Sequence, residues 1–244
     1  DHTPGFGSAA KYIAVTVQEI LRDCAVYTVP AVTIVEIMGR DAGWLTASAA
    51  AGGYVSGFFP DLIYLPERDF STAQFLADVR AAQTKHPNVV VAVSEGIRFA
   101  DGHYVGEGAQ SGAVDAFGHA YLAGAGKVLE QLVKREIGCK VRSVELNLPQ
   151  RCAAHLASET DLAESVGVGK AAVAAALAGV SGEMMSIERT ADEPYAVRFG
   201  HSAIAGIANR VRQVEDRYIN ADGNGMTDAF RAYILPLIRG EAAS

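Results

Sequence analysis

An arginine that follows a β-rich run could bind an anionic ligand. Residues 33–37 are mostly β-branched, and Met38, Gly39 and Arg40 follow directly. β-Branched residues favour a buried strand, and Gly39 lets the backbone approach a ligand closely. A helix predicted to begin at Leu45 would add free N–H groups beside Arg40. The block therefore predicts either an anion-binding loop or a βα turn in which Arg40 is only a surface charge.

Two further blocks carry polar side chains where predicted strands end. Glu95 follows the apolar run 89–93, and Gln150 and Arg151 follow the predicted strand that contains Arg142. Ligands of open parallel sheets gather outside the carboxyl ends of the strands. We therefore expect the loop of Arg40, Glu95 and the pair Gln150 and Arg151 to converge on one ligand.

Helical and β-branched segments alternate along the chain, which predicts an α/β fold with a mostly parallel sheet flanked by helices. The predicted helices cover residues 8–26, 45–51, 70–83, 120–137, 162–178, 203–219 and 226–238. The predicted strands cover residues 32–38, 61–65, 88–93, 140–146 and 184–187. A polar, glycine-rich stretch over residues 98–118 predicts a long surface loop or hairpin.

Composition excludes several classes of protein. The chain has 244 residues, half of them hydrophobic, and a net charge of −7. Charged residues interrupt every apolar stretch before the roughly 20 residues of a membrane span, so an integral membrane protein is excluded. The negative charge argues against nucleic acid and anionic membrane surfaces as partners. Three cysteines without a C-x-x-C pair indicate buried thiols in a reducing cytoplasm, and the scattered histidines give no transition-metal site.

The sequence blocks, taken in their order along the chain, resemble those of the 6-phosphofructokinase family. The resemblance is carried by residues 1–6 (DHTPGF), residues 36–45 (EIMGRDAGWL), Ser94-Glu95-Gly96, and Gln150-Arg151 after the strand of Arg142. It covers most of the chain and is less secure after about residue 195. Residues 1–12 and 36–45 are most similar to the branch that uses pyrophosphate. The resemblance implies a Rossmann-like two-domain fold and a cytoplasmic, glycolytic phosphotransferase.

The resemblance also implies a ligand set and a reaction. A phosphoryl group would pass from pyrophosphate to fructose 6-phosphate with Mg²⁺ bound by the donor, giving fructose 1,6-bisphosphate. Arg151 and, from a neighbouring subunit, Arg142 would hold the 6-phosphate, and Glu95 would accept hydrogen bonds from sugar hydroxyls. A homodimer or homotetramer is therefore expected. The implied substrate-binding residues are Met38, Gly39, Arg40, Glu95, Arg142, Gln150 and Arg151, with no metal ligand among them.

The chain departs from the ATP-dependent members of that family in three places. Ala31 replaces an arginine that crosses between subunits, nine positions before Arg40. Leu148 replaces a histidine, and Cys152 and Ala153 replace two glycines. The sugar phosphate could therefore be held by a different set of cations.

The family's catalytic signature Thr-Ile-Asp-Asn-Asp does not occur in the chain. We therefore expect the carboxyl-terminal part of a longer enzyme, with the catalytic base upstream of Asp1 and no activity in the isolated chain. Asp41 and Asp161 are interpreted as solvated or capping carboxylates. The expected parts are a hinge over residues 1–8, a sugar-phosphate-binding α/β domain over 9–149, a segment packing with the donor domain over 150–200, and carboxyl-terminal helices over 201–244.

The residues that select the phosphoryl donor are expected outside this chain, so two other functions stay open. One is an ATP-dependent 6-phosphofructokinase. The other is a non-catalytic domain that binds sugar phosphates. An upstream segment carrying the catalytic signature would separate an enzyme from a binding module.

Overall fold

Four parallel strands form the central sheet of the computed structural model, which describes residues 1–107 and 124–240. Their order across the sheet is β2-β3-β1-β4. The strands are β1 (Ala31–Ile37), β2 (Leu62–Tyr64), β3 (Asn88–Ser94) and β4 (Lys140–Glu145). The prediction of a mostly parallel α/β sheet is confirmed.

Helices cover both faces of this sheet and enclose two apolar clusters. On one face, Ile13 of the first helix belongs to the same cluster as the β1 residue Val35, and on the other Phe75 and Leu129 share a cluster with its neighbour Ile34. The helices are α1 (Phe6–Ala25), α2 (Trp44–Ala47), α3 (Gly53–Ser56), α4 (Thr72–Gln83), α5 (Ala125–Glu136), α6 (Glu159–Leu177), α7 (Ile204–Ile207) and α8 (Asp228–Ile234).

Strands β1 and β3 are central because nearly all of their side chains are apolar. They pair in parallel, with Ile34 opposite Val91 and Ile37 opposite Ser94. Every residue of β3 is buried. A strand covered on both faces needs such a continuous apolar run. This register brings the carboxyl ends of the two strands side by side.

Strand β4 lies at the edge of the sheet, and each of its residues is exposed or half-buried. It pairs with β1 from Lys140 to Glu145. The Glu130 carboxylate of α5 accepts a hydrogen bond from the backbone N–H of Ser143 at 2.9 Å. This bond fixes α5 against the edge strand.

Asp161 joins the start of α6 to the start of α1. Its carboxylate accepts hydrogen bonds from the backbone N–H groups of Gly5 at 2.7 Å and Ser8 at 3.1 Å. These N–H groups have no partner within α1, so the carboxylate caps the helix from another element. The capping interpretation of Asp161 is confirmed, but Asp161 is buried rather than solvated.

The last third of the chain differs most from the sequence-based expectation. Strands β5 (Glu183–Asp192) and β6 (Tyr195–Ala203) form an antiparallel hairpin of their own. The predicted helix over residues 203–219 is wrong, because only the short α7 and a 3-10 turn at Asp216–Tyr218 are helical there. The predicted helix over 226–238 begins at Asp228 and ends in a 3-10 turn.

Three further sequence-based predictions can be compared with the structure. The predicted loop over residues 98–118 and the predicted helix start at 120 lie partly outside the described residues, as does His119. Cys24 is buried, whereas Cys139 is half-buried and Cys152 exposed, so the expectation of buried thiols is confirmed only for Cys24. Among the described residues, no helix combines the length and apolar character needed to cross a membrane.

Candidate functional site

The loop after β1 is tied to the ends of both neighbouring strands. The backbone N–H of Met38 donates to the side-chain oxygen of Gln150 at 3.1 Å. The N–H of Gly39 donates to Glu95 Oε1 at 3.1 Å, and the Ser94 hydroxyl donates to the Gly39 carbonyl at 2.5 Å. The ends of β1, β3 and β4 thus meet at one place, as their parallel pairing requires.

Two glycines allow the loops to approach this closely. Gly39 has a φ of 141°, a conformation that residues with a Cβ rarely adopt. A Cβ on Gly39 would also lie 2.6 Å from the carbonyl oxygen of Ala42. A Cβ on Gly96 would overlap the backbone of Arg40. Larger residues at either position would therefore push the Arg40 loop away from β3.

Arg40 lies half-buried in this loop. Its Nε is buried and has no hydrogen-bond partner within the described part of the chain. A buried donor without a partner costs free energy, so such atoms are uncommon unless a ligand satisfies them. Arg40 therefore meets the requirement for an anion-binding side chain.

Gln150 and Arg151 lie in the 3-10 turn Leu148–Arg151 that follows β4. Gln150 is buried, and its amide both accepts from Met38 and donates to the Asn147 carbonyl at 2.8 Å. Asn147 has a φ of 46°, a strained conformation for a residue other than glycine. Gln150 therefore joins the end of β4 to the end of β1, and its direct contact with a ligand stays a prediction. Arg151 is exposed.

Arg142 lies apart from these residues. It is the third residue of β4, opposite Thr33 of β1, rather than at the strand end. Four residues along a strand separate it from Leu146 by about 13 Å. Its side chain lines a recess of about 280 Å³ together with Glu19 and Asp23 of α1. Within one chain the structure therefore does not bring Arg142 to the Arg40 loop.

Glu36 is a buried carboxylate near the end of β1, just before the Arg40 loop. Its Oε2 accepts a hydrogen bond from the backbone N–H of Gly126 at 2.6 Å, at the start of α5. Burial raises the pKa of Glu36 to about 7, and the negative charges of Glu145 and Glu95 act in the same direction. The hydrogen bond from Gly126 opposes that rise. Glu36 therefore titrates near neutral pH.

Sequence reasoning missed Arg98 and Ser94 as parts of this region. Arg98 Nη2 donates to the Arg40 carbonyl at 3.2 Å and to Asp41 Oδ1 at 3.0 Å. Asp41 is therefore half of an ion pair rather than a solitary solvated carboxylate. The position of Arg98 three residues after Glu95, just beyond the turn that follows β3, was the available signal.

The described residues contain no group of three or more His, Cys, Asp or Glu side chains that could hold a metal ion. His86 pairs with Asp61 at 2.8 Å, and His2 pairs with Glu164 at 2.5 Å, so both serve as links between elements. The unpartnered Nε of Arg40 and the carboxylate of Glu95 are groups suited to binding an anion and hydroxyl groups.

The chain matches a known protein family. The family model described as "PFK: Phosphofructokinase" matches residues 1–176. A pyrophosphate–fructose 6-phosphate 1-phosphotransferase of Xanthomonas campestris pv. campestris is 43% identical over 244 residues, covering 99% of this chain. The enzyme of the same name from Halomonas elongata is 41% identical over 99% of the chain.

A solved structure is also similar. The crystal structure of a pyrophosphate-dependent phosphofructokinase from Nitrosospira multiformis superposes with a TM-score of 0.84 at 34% identity, over 98% of this chain. The chain spans 56% of that protein, 58% of the Xanthomonas relative and 57% of the Halomonas relative. The expected match to part of a larger enzyme is therefore confirmed.

The raised pKa of Glu36 predicts a pH-dependent stability. The folded protein holds the Glu36 proton more tightly than the unfolded chain, so this contribution is complete below about pH 4.5 and is lost as the pH rises through about 7. Glu36→Gln should remove up to about 3 kcal/mol of this change in the free energy of unfolding. Urea unfolding at about pH 4.5 and about pH 8 measures the difference. The exposed Glu136→Gln variant is the control, and an unchanged pH dependence in Glu36→Gln would contradict the assignment.

Proposed function

Because this chain belongs to the phosphofructokinase family, we propose that it provides the sugar-phosphate site of a cytoplasmic, glycolytic phosphotransferase. The reaction transfers a phosphoryl group from pyrophosphate to fructose 6-phosphate and gives fructose 1,6-bisphosphate. The observation that carries the proposal is the half-buried Arg40 with an unpartnered Nε, held beside Glu95 at the carboxyl edge of the sheet. The names of the relatives that match nearly the whole chain support pyrophosphate as the donor.

The proposed roles follow from charge and hydrogen-bonding capacity. A guanidinium can hold a phosphate through two N–H groups, and Arg40 and the exposed Arg151 are the cations that follow β1 and β4. Within the described part of the chain, Glu95 accepts a hydrogen bond through Oε1 from Gly39, so its other oxygen can accept one from a sugar hydroxyl. Met38 and Gly39 would contribute backbone contacts. The region would thus bind both the charged and the hydroxyl-bearing parts of a sugar phosphate.

Enzymes of this family generally use Mg²⁺. The described residues do not fit a magnesium site by themselves, because they contain no cluster of metal ligands. In the proposed enzyme, the metal belongs with the phosphoryl donor. What this chain contributes is the binding and orientation of the sugar.

Residues 150–200 are proposed to pack against the donor-binding part of the enzyme. Helix α6 buries only Asp161 and Glu164. Its exposed face carries large apolar side chains, which normally mark a contact surface. These side chains are Leu162, Val166, Val173 and Leu177. The hinge role of residues 1–8 is part of the same proposal, since Asp161 holds the start of α1 against α6.

Two alternative functions can be separated from the proposed one by experiment. An ATP-dependent enzyme would have the same sugar site and a different donor. A non-catalytic domain would bind sugar phosphates without transferring a phosphoryl group. All three functions include binding of the sugar phosphate, so a binding measurement does not separate them. The donor must therefore be identified by measuring turnover.

Joining this chain to the part of the Xanthomonas relative that the match does not cover should give an active enzyme. We expect turnover of fructose 6-phosphate with Mg²⁺ and pyrophosphate, and much slower turnover with ATP, because the relatives that match nearly the whole chain are named as pyrophosphate-dependent enzymes. A coupled assay for fructose 1,6-bisphosphate measures both rates. An ATP preference would overturn the donor assignment, and a well-folded chimera that binds the sugar without any turnover would favour the non-catalytic domain.

Replacing Arg151 by alanine should weaken fructose 6-phosphate binding by roughly 1.5–3 kcal/mol, since a charge-assisted hydrogen bond to the phosphate is lost. Calorimetry on the 244-residue chain measures the affinity. The control is Arg135→Ala, which removes an exposed arginine at the end of α5. Equal affinities in the two variants would remove Arg151 from the site.

Arg142 is proposed to act in the site of a neighbouring subunit, since it lies about 10 Å along β4 from the strand end at Glu145. Mixed dimers of Arg142→Ala and Arg151→Ala chains should then contain one undamaged site and one site with both changes. Calorimetry on purified mixed dimers should find about half of the wild-type number of tight sites. Tight binding by a monomeric chain, or no tight sites in mixed dimers, would contradict action across the interface.

A further inference from the structure

Arg98 lies where three segments of the chain meet. It follows the turn after β3, and its carbonyl accepts a hydrogen bond from the Phe70 backbone N–H at 2.7 Å. It also forms a parallel bridge with Asp69 and an antiparallel bridge with Tyr104. The backbone of Arg98 is therefore fixed independently of its side chain.

The side chain of Arg98 extends from this fixed point to the Arg40 loop. Its Nη2 donates to the Arg40 carbonyl at 3.2 Å and to Asp41 Oδ1 at 3.0 Å. The guanidinium carbon lies 4.8 Å from the centre of the Tyr104 ring. The side chain is only 32% exposed. Stacking and the ion pair together restrict the guanidinium to one orientation.

The other polar groups of the loop are held from different directions. Glu95 and Ser94 hold the two sides of Gly39, and Glu67 accepts a hydrogen bond from the Gly43 N–H at 2.8 Å. Among the described residues, the bond from Arg98 is the one that holds the Arg40 carbonyl. Arg98 therefore controls the backbone of Arg40, whose side chain, like that of Arg98, has a buried Nε without a partner among the described residues.

We propose that Arg98 is a positioning residue that sets the orientation of Arg40 toward an anionic group of the substrate. The inference rests on the proposed function for the identity of that anion, which is a sugar phosphate. Arg98 acts through Arg40, because Asp41 already neutralises its charge. Fixing the loop before binding reduces the ordering cost that the ligand would otherwise meet.

Binding of fructose 6-phosphate to variants of the 244-residue chain tests this dependence. Arg98→Met keeps the aliphatic stem and removes the donors, and should weaken binding roughly tenfold or more. Arg98→Lys keeps one donor group and should fall between Arg98→Met and the wild type. In a chain that already carries Arg40→Met, Arg98→Met should change the affinity less than about twofold, because both changes remove the contact between Arg40 and the anion. Full additivity of the two changes would overturn the proposal.

Hydrogen exchange of the backbone amides at residues 39–43 supplies a readout that needs no ligand. Arg98→Met should speed exchange there, while its melting temperature changes no more than that of Arg68→Met. Arg68 is the matched control because it also forms a partly exposed pair with an aspartate, Asp216, at 3.0 Å. Unchanged exchange in Arg98→Met would refute positioning by Arg98. Failure of the wild-type chain to bind fructose 6-phosphate would instead refute the proposed ligand, and the exchange result would still decide the role of Arg98.

Discussion

The hydrogen bond from the Gly39 N–H to Glu95 connects the ends of the two central strands, and the geometry of the candidate site depends on it. The bond forms because β1 and β3 are parallel and in register up to Ile37 and Ser94. It orients the Glu95 carboxylate and fixes the backbone just before Arg40. A carboxylate and a cation are thus held together by backbone geometry, without a direct ion pair that would neutralise both.

Much of the central sheet could be predicted because β1, β2 and β3 are short, mostly apolar runs between helical segments. Such continuous apolar runs are typical of strands that are covered on both faces. The hairpin was harder to predict. In β6, Tyr195, Val197 and Phe199 alternate with Ala196 and Arg198, which is a strand signal. The following apolar positions recur at helical spacing, but Ile204 and Val211 are exposed in the structure, so no packing stabilises a longer helix there.

The strand-end residues of the candidate site could also be predicted, because parallel topology alone brings them together. The connections between them could not. Arg98 and Asp41 are 57 residues apart, and only the folded chain brings their side chains to 3.0 Å. Likewise, nothing in the sequence distinguishes Gln150 as a buried link from Arg151 as an exposed cation. Their difference arises from the 3-10 turn after β4, which directs one side chain inward and leaves the other in solvent.

The charge distribution explains how a chain with a net charge of −7 could attract an anionic ligand. At physiological ionic strength, exposed charges separated by more than about 8 Å are largely screened. The local groups therefore matter more than the total. Asp41 neutralises Arg98, so that, among the described residues of one chain, Arg40 and Arg151 are the cations proposed to meet the phosphate. Because Arg40 is half-buried and its Nε lacks a partner, its attraction for an anion is weakened less by water than that of an exposed arginine.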